Sequence, residues 1–352
     1  MLFREVFEAS RNNKVMFINL PQNPQIQQNP FKMLLINDSN SPKKTIDESE
    51  LTFNFQRYFF NEKEHLQNQG GERLLTFYWQ NPDNQTIEAR FSVIIKDGIA
   101  YSPLRATFGG VEFSEEISEE DLFYFLQESI SKIEVKTIII NSYPEGYLSK
   151  NQIQKLENCL LKLGFQISIT EQNYEIPITQ KSFYETITST RAKQLLRKSI
   201  KKGFTFQEVF DPNFSEIHTF ITHSRERKNR PVTMNLLQFK NHFKIFIENF
   251  KIFSVMDSGQ IIAVGVTIKI NEEIAYTFYL TDDERYLKDS PTILLLSGIY
   301  DYFQARDYKI LDLGITTNQG ILNEGLAHFK RSLGGVLSLK KTYSKDLKIQ
   351  YF

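Results

Sequence analysis

The stretch 309–343, KILDLGITTNQGILNEGLAHFKRSLGGVLSLKKTY, constrains this chain most, because its outline occurs twice. It reads as a short buried strand at 310–313, a Gly/Thr/Asn turn, a helix carrying Phe329 and Lys330, a Gly334–Gly335 break and a closing strand. The same units run through 136–169. There the strand KTIII is followed by a polar loop, a helix marked by Ile153, Leu156, Leu160 and Leu163, a stop at Gly164 and a strand at 165–169. Leu163–Gly164 aligns with Leu333–Gly334. Each copy is preceded by a meander, a proline-containing loop and a helix, so the chain reads as an internal duplication. Mixed strands with crossover helices place it in the α/β (α+β) class, each copy a mixed, mostly antiparallel sheet flanked by helices. The expected domains are 51–176 and 177–352, after an N-terminal extension, 1–50, that is partly loop.

Local signals fill in this frame. Residues 15–20 could form a strand, and the proline- and glutamine-rich 21–30 reads as a loop or connector, a character repeated at 39–44. Strands are expected at 74–80 and 88–95, with Asp97–Gly98 turning tightly into 99–102. Ser118 and Asp121 open a capped helix with Leu122, Leu126, Ile130 and Ile133 on its apolar stripe. In the second half one helix is expected over 182–202, closed by Gly203, then a strand at 204–210. Helices follow at 214–228 and 236–250, then a meander at 251–257, 260–270 and 274–281, and a helix led by Pro291.

The length of 352 residues suits two ordinary domains. Lys plus Arg and Asp plus Glu balance at 42 each, which argues against gripping nucleic acid or an anionic membrane as the main task. A single cysteine, Cys159, allows no internal disulfide and fits a reducing compartment. The start has no secretory h-region, and no apolar run approaches the ~18 residues of a membrane span. The expectation is a cytoplasmic protein without a membrane span.

His65, His218, His223, His242 and His328 lie apart, with no HExxH or Cys/His set, so no metal site is expected. Gly109–Gly110 is either a turn needing positive φ or a place where backbone amides approach a ligand. Lys330 is the sharper candidate. Ile321, Gly325, Leu326, Phe329 and Leu333 read as the buried stripe, and Lys330 sits about 100° from Phe329 at its edge. From there its ammonium could reach a cleft and bind an oxyanion or phosphate, or remain an ordinary solvated lysine. The aligned residue in the first copy is Leu160. Asp312, between Leu311 and Leu313, needs a partner or faces a site, since an unpaired buried charge is costly. Thr316, Thr317 and Asn318 after it could line a pocket. The basic stretch 191–202, with Arg197 and Lys198, is either a solvated face or a docking surface for a tRNA stem or a coenzyme diphosphate. The cations at 225–230 could likewise grip a phosphate or carboxylate.

The second half resembles the FemAB-like group of GNAT-type acyltransferases, in which two GNAT-like domains stand in tandem. The match rests on RAKQLLRKSIKKGF, SRERKNRPVTM, the Pro291-led helix, and LDLGITT followed by FKRSLGGVLSLKKTY. Phe329, Lys330 and Gly334 match the group's closing Phe-Lys-x-x-Phe-Gly, with Leu333 for the second Phe. In the first half, YSPLRATFGGVEF looks like a loop of a bacterial branch. The resemblance implies acyl transfer to an amine without a covalent enzyme intermediate. It casts Lys330 in the oxyanion or terminal-phosphate role, with Asp312, Thr316, Thr317, Asn318 and Phe329 shaping the pocket and Arg225 and Tyr279 contacting substrate. It implies no permanently bound cofactor. The co-substrate would be acyl-CoA or aminoacyl-tRNA, and the acceptor a small molecule, amino sugar or cell-envelope precursor. One departure is clear: TDDERYLKDSPTILLLSG lacks the glycine-rich pyrophosphate turn, which puts acetyl-CoA in doubt. The alternative is an inactive acyltransferase-like scaffold serving as a ligand-binding module.

Overall fold

A computed structural model of the chain describes residues 33–40 and 46–347. They form two compact units, one running up to Ile169 and taking in the chain again from Lys341, the other Thr170–Lys340. The strand and loop expected at 15–20 and 21–30, and most of 39–44, lie outside the described residues.

The first unit contains, in chain order, β1 (Met33–Asp38), β2 (Thr52–Phe53), α1 (Lys63–Asn68), β3 (Arg73–Gln80), β4 (Thr86–Lys96), β5 (Ile99–Ser102), β6 (Val111–Phe113), α2 (Glu119–Ser131), β7 (Thr137–Asn141), α3 (Lys150–Lys162) and the start of β8 (Gln166–Pro177). β1 pairs antiparallel with β3 and adds a strand that the sequence pattern of 1–50 did not announce. The antiparallel order β1-β3-β4-β5 is followed by a parallel pair, β5 with β7. The far edge of β7 takes the returning chain at 342–346, antiparallel. Ser118 caps α2 through the Asp121 N–H, and Ser149 with Gln152 forms a capping box on α3. Leu122, Phe125, Leu126, Leu156 and Leu160 from these helices join Phe77, Phe91, Ile138 and Ile140 from the sheet in one apolar core.

The second unit repeats the plan. After β8 come α4 (Phe183–Thr186), α5 (Thr190–Lys201), β9 (Thr205–Glu208), α6 (Phe214–Arg227), α7 (Leu236–Ile245), β10 (Phe250–Asp257), β11 (Gln260–Lys269), β12 (Ile274–Asp282), α8 (Pro291–Gln304), β13 (Ile310–Ile315), β14 (Thr317–Asn318), β15 (Ile321–Leu322), α9 (Glu324–Ser332) and β16 (Val336–Asp346). β9, β10, β11 and β12 form the antiparallel meander, β12 and β13 run parallel, and β13 pairs antiparallel with β8. Each unit is thus a mixed, mostly antiparallel sheet flanked by helices. α8 is the central core helix, burying Leu295, Leu296, Ile299 and Tyr300.

The helix expected over 182–202 is two helices. Thr188 and Ser189 turn their N–H groups to the Ser332 carbonyl, and the Thr186 hydroxyl donates to Leu333 O at 3.2 Å. The end of α9 therefore captures the backbone that a continuous helix would have used, and Ser189 caps α5 afresh. The expected strand 204–210 shortens to β9, leaving Phe210 84% exposed.

Candidate functional site

The parallel pairing of β12 with β13 lasts only from Ile274 and Ile310 to Tyr276 and Asp312. Beyond that point β12 stays with β11 while β13 follows β8, so the two parallel strands part. β13 also bulges there, skipping Leu313, and Gly314 takes φ +77°. A Cβ on Gly314 would stand 3.3 Å from the Tyr276 ring, so glycine lets that ring lie against the bulge.

Lys330, on α9, reaches this bulge. It is 5% exposed, and its Nζ donates to Gly314 O at 2.7 Å and Ile315 O at 3.0 Å. Burial drives its ammonium down to about 7, against the upward pull of Asp312 and with a further lowering from Arg230. Asp312 is fully buried; its Oδ1 accepts from Gly314 N at 2.6 Å and Asn173 Nδ2 at 3.0 Å, and its backbone carbonyl takes the Thr277 hydroxyl at 3.0 Å. Opposite it on β8 is Glu175, whose carboxyl burial and the Asp312 charge push up to about 7. Ser338 Oγ donates to Glu175 Oε2 at 3.3 Å and lies 3.5 Å from Asn173 Nδ2. On the same face Lys340 pairs with Glu171 at 3.1 Å. A cation held on two carbonyls beside buried carboxyls, where a sheet opens, can stabilise negative charge on a ligand.

The stripe assigned to α9 from sequence is displaced. Its buried face is Ala327, Lys330 and, past its end, Leu333; Ile321 is 77% exposed on β15 and Gly325 is exposed. The helix starts later than the apolar spacing suggested, because Asn323 caps it through the Leu326 N–H. Lys330 is therefore inside the packed face, not at its edge, while Phe329 is half-buried against the core.

Arg225 and Tyr279 are brought together, the guanidinium 5.1 Å from the ring centroid. Arg225 Nε donates to Pro231 O at 2.7 Å, and Tyr279 Oη lies 2.5 Å from Thr233 Oγ1. Burial lowers the Arg225 guanidinium, offset by Tyr279, while Tyr276 acts on it in the same sense as Tyr279. Tyr276 thus links the Arg225–Tyr279 pair to the Gly314 bulge. Thr316 and Thr317 are buried, and their hydroxyls bond to the Gln172 carbonyl and N–H, tying the turn after β13 to β8. Asn318 is exposed on β14.

Arg197 is exposed and sits 4.9 Å from the Tyr184 ring centroid, and Lys198 pairs with Asp289 at 2.8 Å. Lys202 binds the same carboxylate at 2.6 Å, and Arg227 and Lys228 hold Asp282 at 2.6 and 2.8 Å. Four cations of the two basic stretches are thus matched by carboxylates of 282–289, the segment leading into α8. The remaining Asp282 oxygen takes the Thr292 hydroxyl at 3.1 Å, and Pro291 opens the helix without an N–H. Glu175, Asn173, Ser338 and Tyr276 do not stand out in the sequence as single residues. A signal existed in the period-two polar run Glu171, Asn173, Glu175, which puts three polar side chains on one strand face.

No protein-family model matches the chain, and no curated protein matches it. Solved structures do. The chain aligns with the crystal structure of FemX at TM-score 0.61 and 14% identity, covering 77% of this chain and 87% of that one. L-PGS from Bacillus licheniformis aligns at 0.48 and 12%, covering 79% and 85%. A tandem GNAT protein from the clavulanic acid biosynthesis pathway aligns at 0.45 and 8%, covering 78% and 82%. The FemX alignment covers most of the chain and shows that the chain shares the FemX fold. Among the described residues no helix is long and apolar enough to cross a membrane.

Proposed function

We propose, starting from the fold shared with FemX, that the second unit transfers an acyl or aminoacyl group to an amine by direct attack. The observation that carries this reading is Lys330, buried and held on Gly314 O and Ile315 O where β12 and β13 part. In this mechanism the amine lone pair attacks the activated carbonyl and a C–N bond forms. The carbonyl oxygen becomes an oxyanion beside the Lys330 ammonium. Collapse breaks the bond to the leaving thiolate or alkoxide, which departs with the proton the amine gives up. Asp312 holds the bulge through Gly314 N, and Arg225, Tyr276 and Tyr279 line the approach for the acceptor, of the amino-sugar or cell-envelope-precursor kind.

Between the two donor classes, acidic 282–289 counts against a coenzyme diphosphate at the start of α8, since the segment presents carboxylates where amides would be needed. The exposed Arg191, Arg197 and Lys201 on α5 leave room for an aminoacyl-tRNA end. The test is donor loss, followed by mass spectrometry, over a panel of acyl-CoAs and aminoacyl-tRNAs with a generic amine acceptor. Lys330→Met is expected to lower turnover about 100-fold or more. Turnover unchanged in a folded Lys330→Met protein sinks the assignment. Ligand-induced thermal stabilisation with no turnover of any donor would replace it with a binding module.

A further inference from the structure

The interior around Lys330 gathers several ionisable groups. From β8 come Glu171 and Glu175, from β13 Asp312, from β16 Lys340, and from α9 Lys330 itself; Arg230, past α6, also bears on Lys330. Lys340 is matched by Glu171 at 3.1 Å. Lys330 is tied to Asp312 through one residue, Gly314, whose carbonyl takes the ammonium and whose N–H goes to the carboxylate. Among the described residues no cation pairs with Glu175. Its hydrogen-bond partner is a hydroxyl, Ser338 Oγ, and its cross-strand neighbour in register is another carboxyl, Asp312.

Lys330 and Lys340 both bear on Asp312, whereas Glu175 faces a neighbouring carboxyl across the strand pair, and two adjacent buried carboxyls are costly to ionise together, so one keeps a proton. Asp312 accepts two N–H donors, which suits the ionised form, whereas Glu175 accepts from a hydroxyl that can equally well receive a proton. We propose that Glu175 is the proton-holding member of the pair, a positioning residue that keeps Asp312 negative and so keeps the Lys330 ammonium on the β13 bulge. This rests on the reading of Lys330 as the site's cation. The run Glu175, Ser338, Asn173, Asp312, Gly314, Lys330 is continuous, so the protonation of β8 is felt at α9. As pH rises through neutrality Glu175 gives up its proton in the same range as Lys330, and the two losses are coupled.

The experiment is a 13C titration of the full chain, following Glu175 Cδ and Lys330 Cε, assigned with Glu175→Gln and Lys330→Arg. Glu175 is expected to be protonated at pH 6 with a midpoint near 7. Glu175→Gln, which mimics the protonated acid, is expected to fold and to move the Lys330 midpoint by less than Asp312→Asn does. Asp312→Asn is expected to lower that midpoint by about one pH unit or more, an opposite charge having been removed. Glu175 ionised at pH 6 overturns the proposal. So does a Glu175→Gln protein whose Lys330 midpoint moves as far as in Asp312→Asn. If Asp312→Asn does not fold, the wild-type Glu175 titration decides alone. Donor turnover separates the two readings: a folded Lys330→Met protein that still turns over donor removes Lys330 from the acyl transfer, while the protonation state of Glu175 is still fixed by its own titration.

Discussion

At the scale of residues, two groups in one interior have acid constants displaced toward each other, and the signs can be worked through. Lys330 in the folded chain loses its proton near 7, below the ordinary lysine range, so the unfolded chain holds more protons above about pH 7. Its effect on stability therefore improves as pH rises above 7. Glu175 holds its proton up to about 7, so the folded chain binds more protons between the ordinary carboxylate range and 7. Its effect on stability declines as pH rises across that window. Together they place the least favourable point near neutrality. Urea unfolding at pH 5, 7 and 9 should show the alkaline rise lost in Lys330→Leu and the acid-side advantage lost in Glu175→Gln. Variants that track the wild-type curve at all three pH values would show that neither shift exists. The oxyanion role adds a kinetic sign: only protonated Lys330 can serve, so its part in turnover fades as pH climbs through about 7. Asp312 and Lys330 were legible because a charge inside an apolar strand or beside an apolar stripe is costly without a reason. Glu175 was not, because a polar run on a strand ordinarily faces water, and only the packing shows that this one does not.

At the scale of elements, capped helices and tight turns were readable because their determinants are local. Ser118, read from the sequence as opening a capped helix, takes the orphan Asp121 N–H of α2. The break between α4 and α5 is not local, since its hydrogen bonds go to Ser332 and Leu333, far along the chain. Gly334 is the hinge of that docking: a Cβ there would lie 2.3 Å from Thr186 O, and its φ is +91°. Gly334→Ala should cost about 2–4 kcal/mol by chemical denaturation, combining backbone strain with an overpacked contact. A cost below about 0.5 kcal/mol would mean that α9 does not fix the α4–α5 corner. The segment 282–289 makes a second element-scale case, because its carboxylates neutralise cations that looked free in the sequence. Asp282→Asn combined with Asp289→Asn should release Lys198, Lys202, Arg227 and Lys228 and raise the salt needed to elute the protein from heparin. Unchanged elution would mean these cations are held by something other than the acidic segment.

At the scale of the whole molecule, the two units carry the same plan with different interiors. Leu160 on α3 and Lys330 on α9 occupy aligned, buried positions, and the strand that carries Asp312 corresponds to β7, whose centre is all isoleucine. The double variant Lys330→Leu with Asp312→Ile gives the second unit the first unit's apolar choices. It should fold with stability at pH 7 equal to or above wild type, since replacing buried ions by apolar groups is often neutral or better, and should turn over no donor. Loss of folding would show that the charges are structural, and retained turnover would move the chemistry elsewhere. What the sequence determined by itself is the repeated α/β plan, the capped helices and the identity of the odd residues, because periodicity, caps and buried charge are properties of neighbouring positions. Only the tertiary structure decided which face of α9 is buried, that its lysine rests on the carbonyls of a bulge in β13, and that Glu175 stands opposite Asp312. Those facts depend on strand register and on where two parallel strands part, and both are set by packing between segments that are distant in the chain.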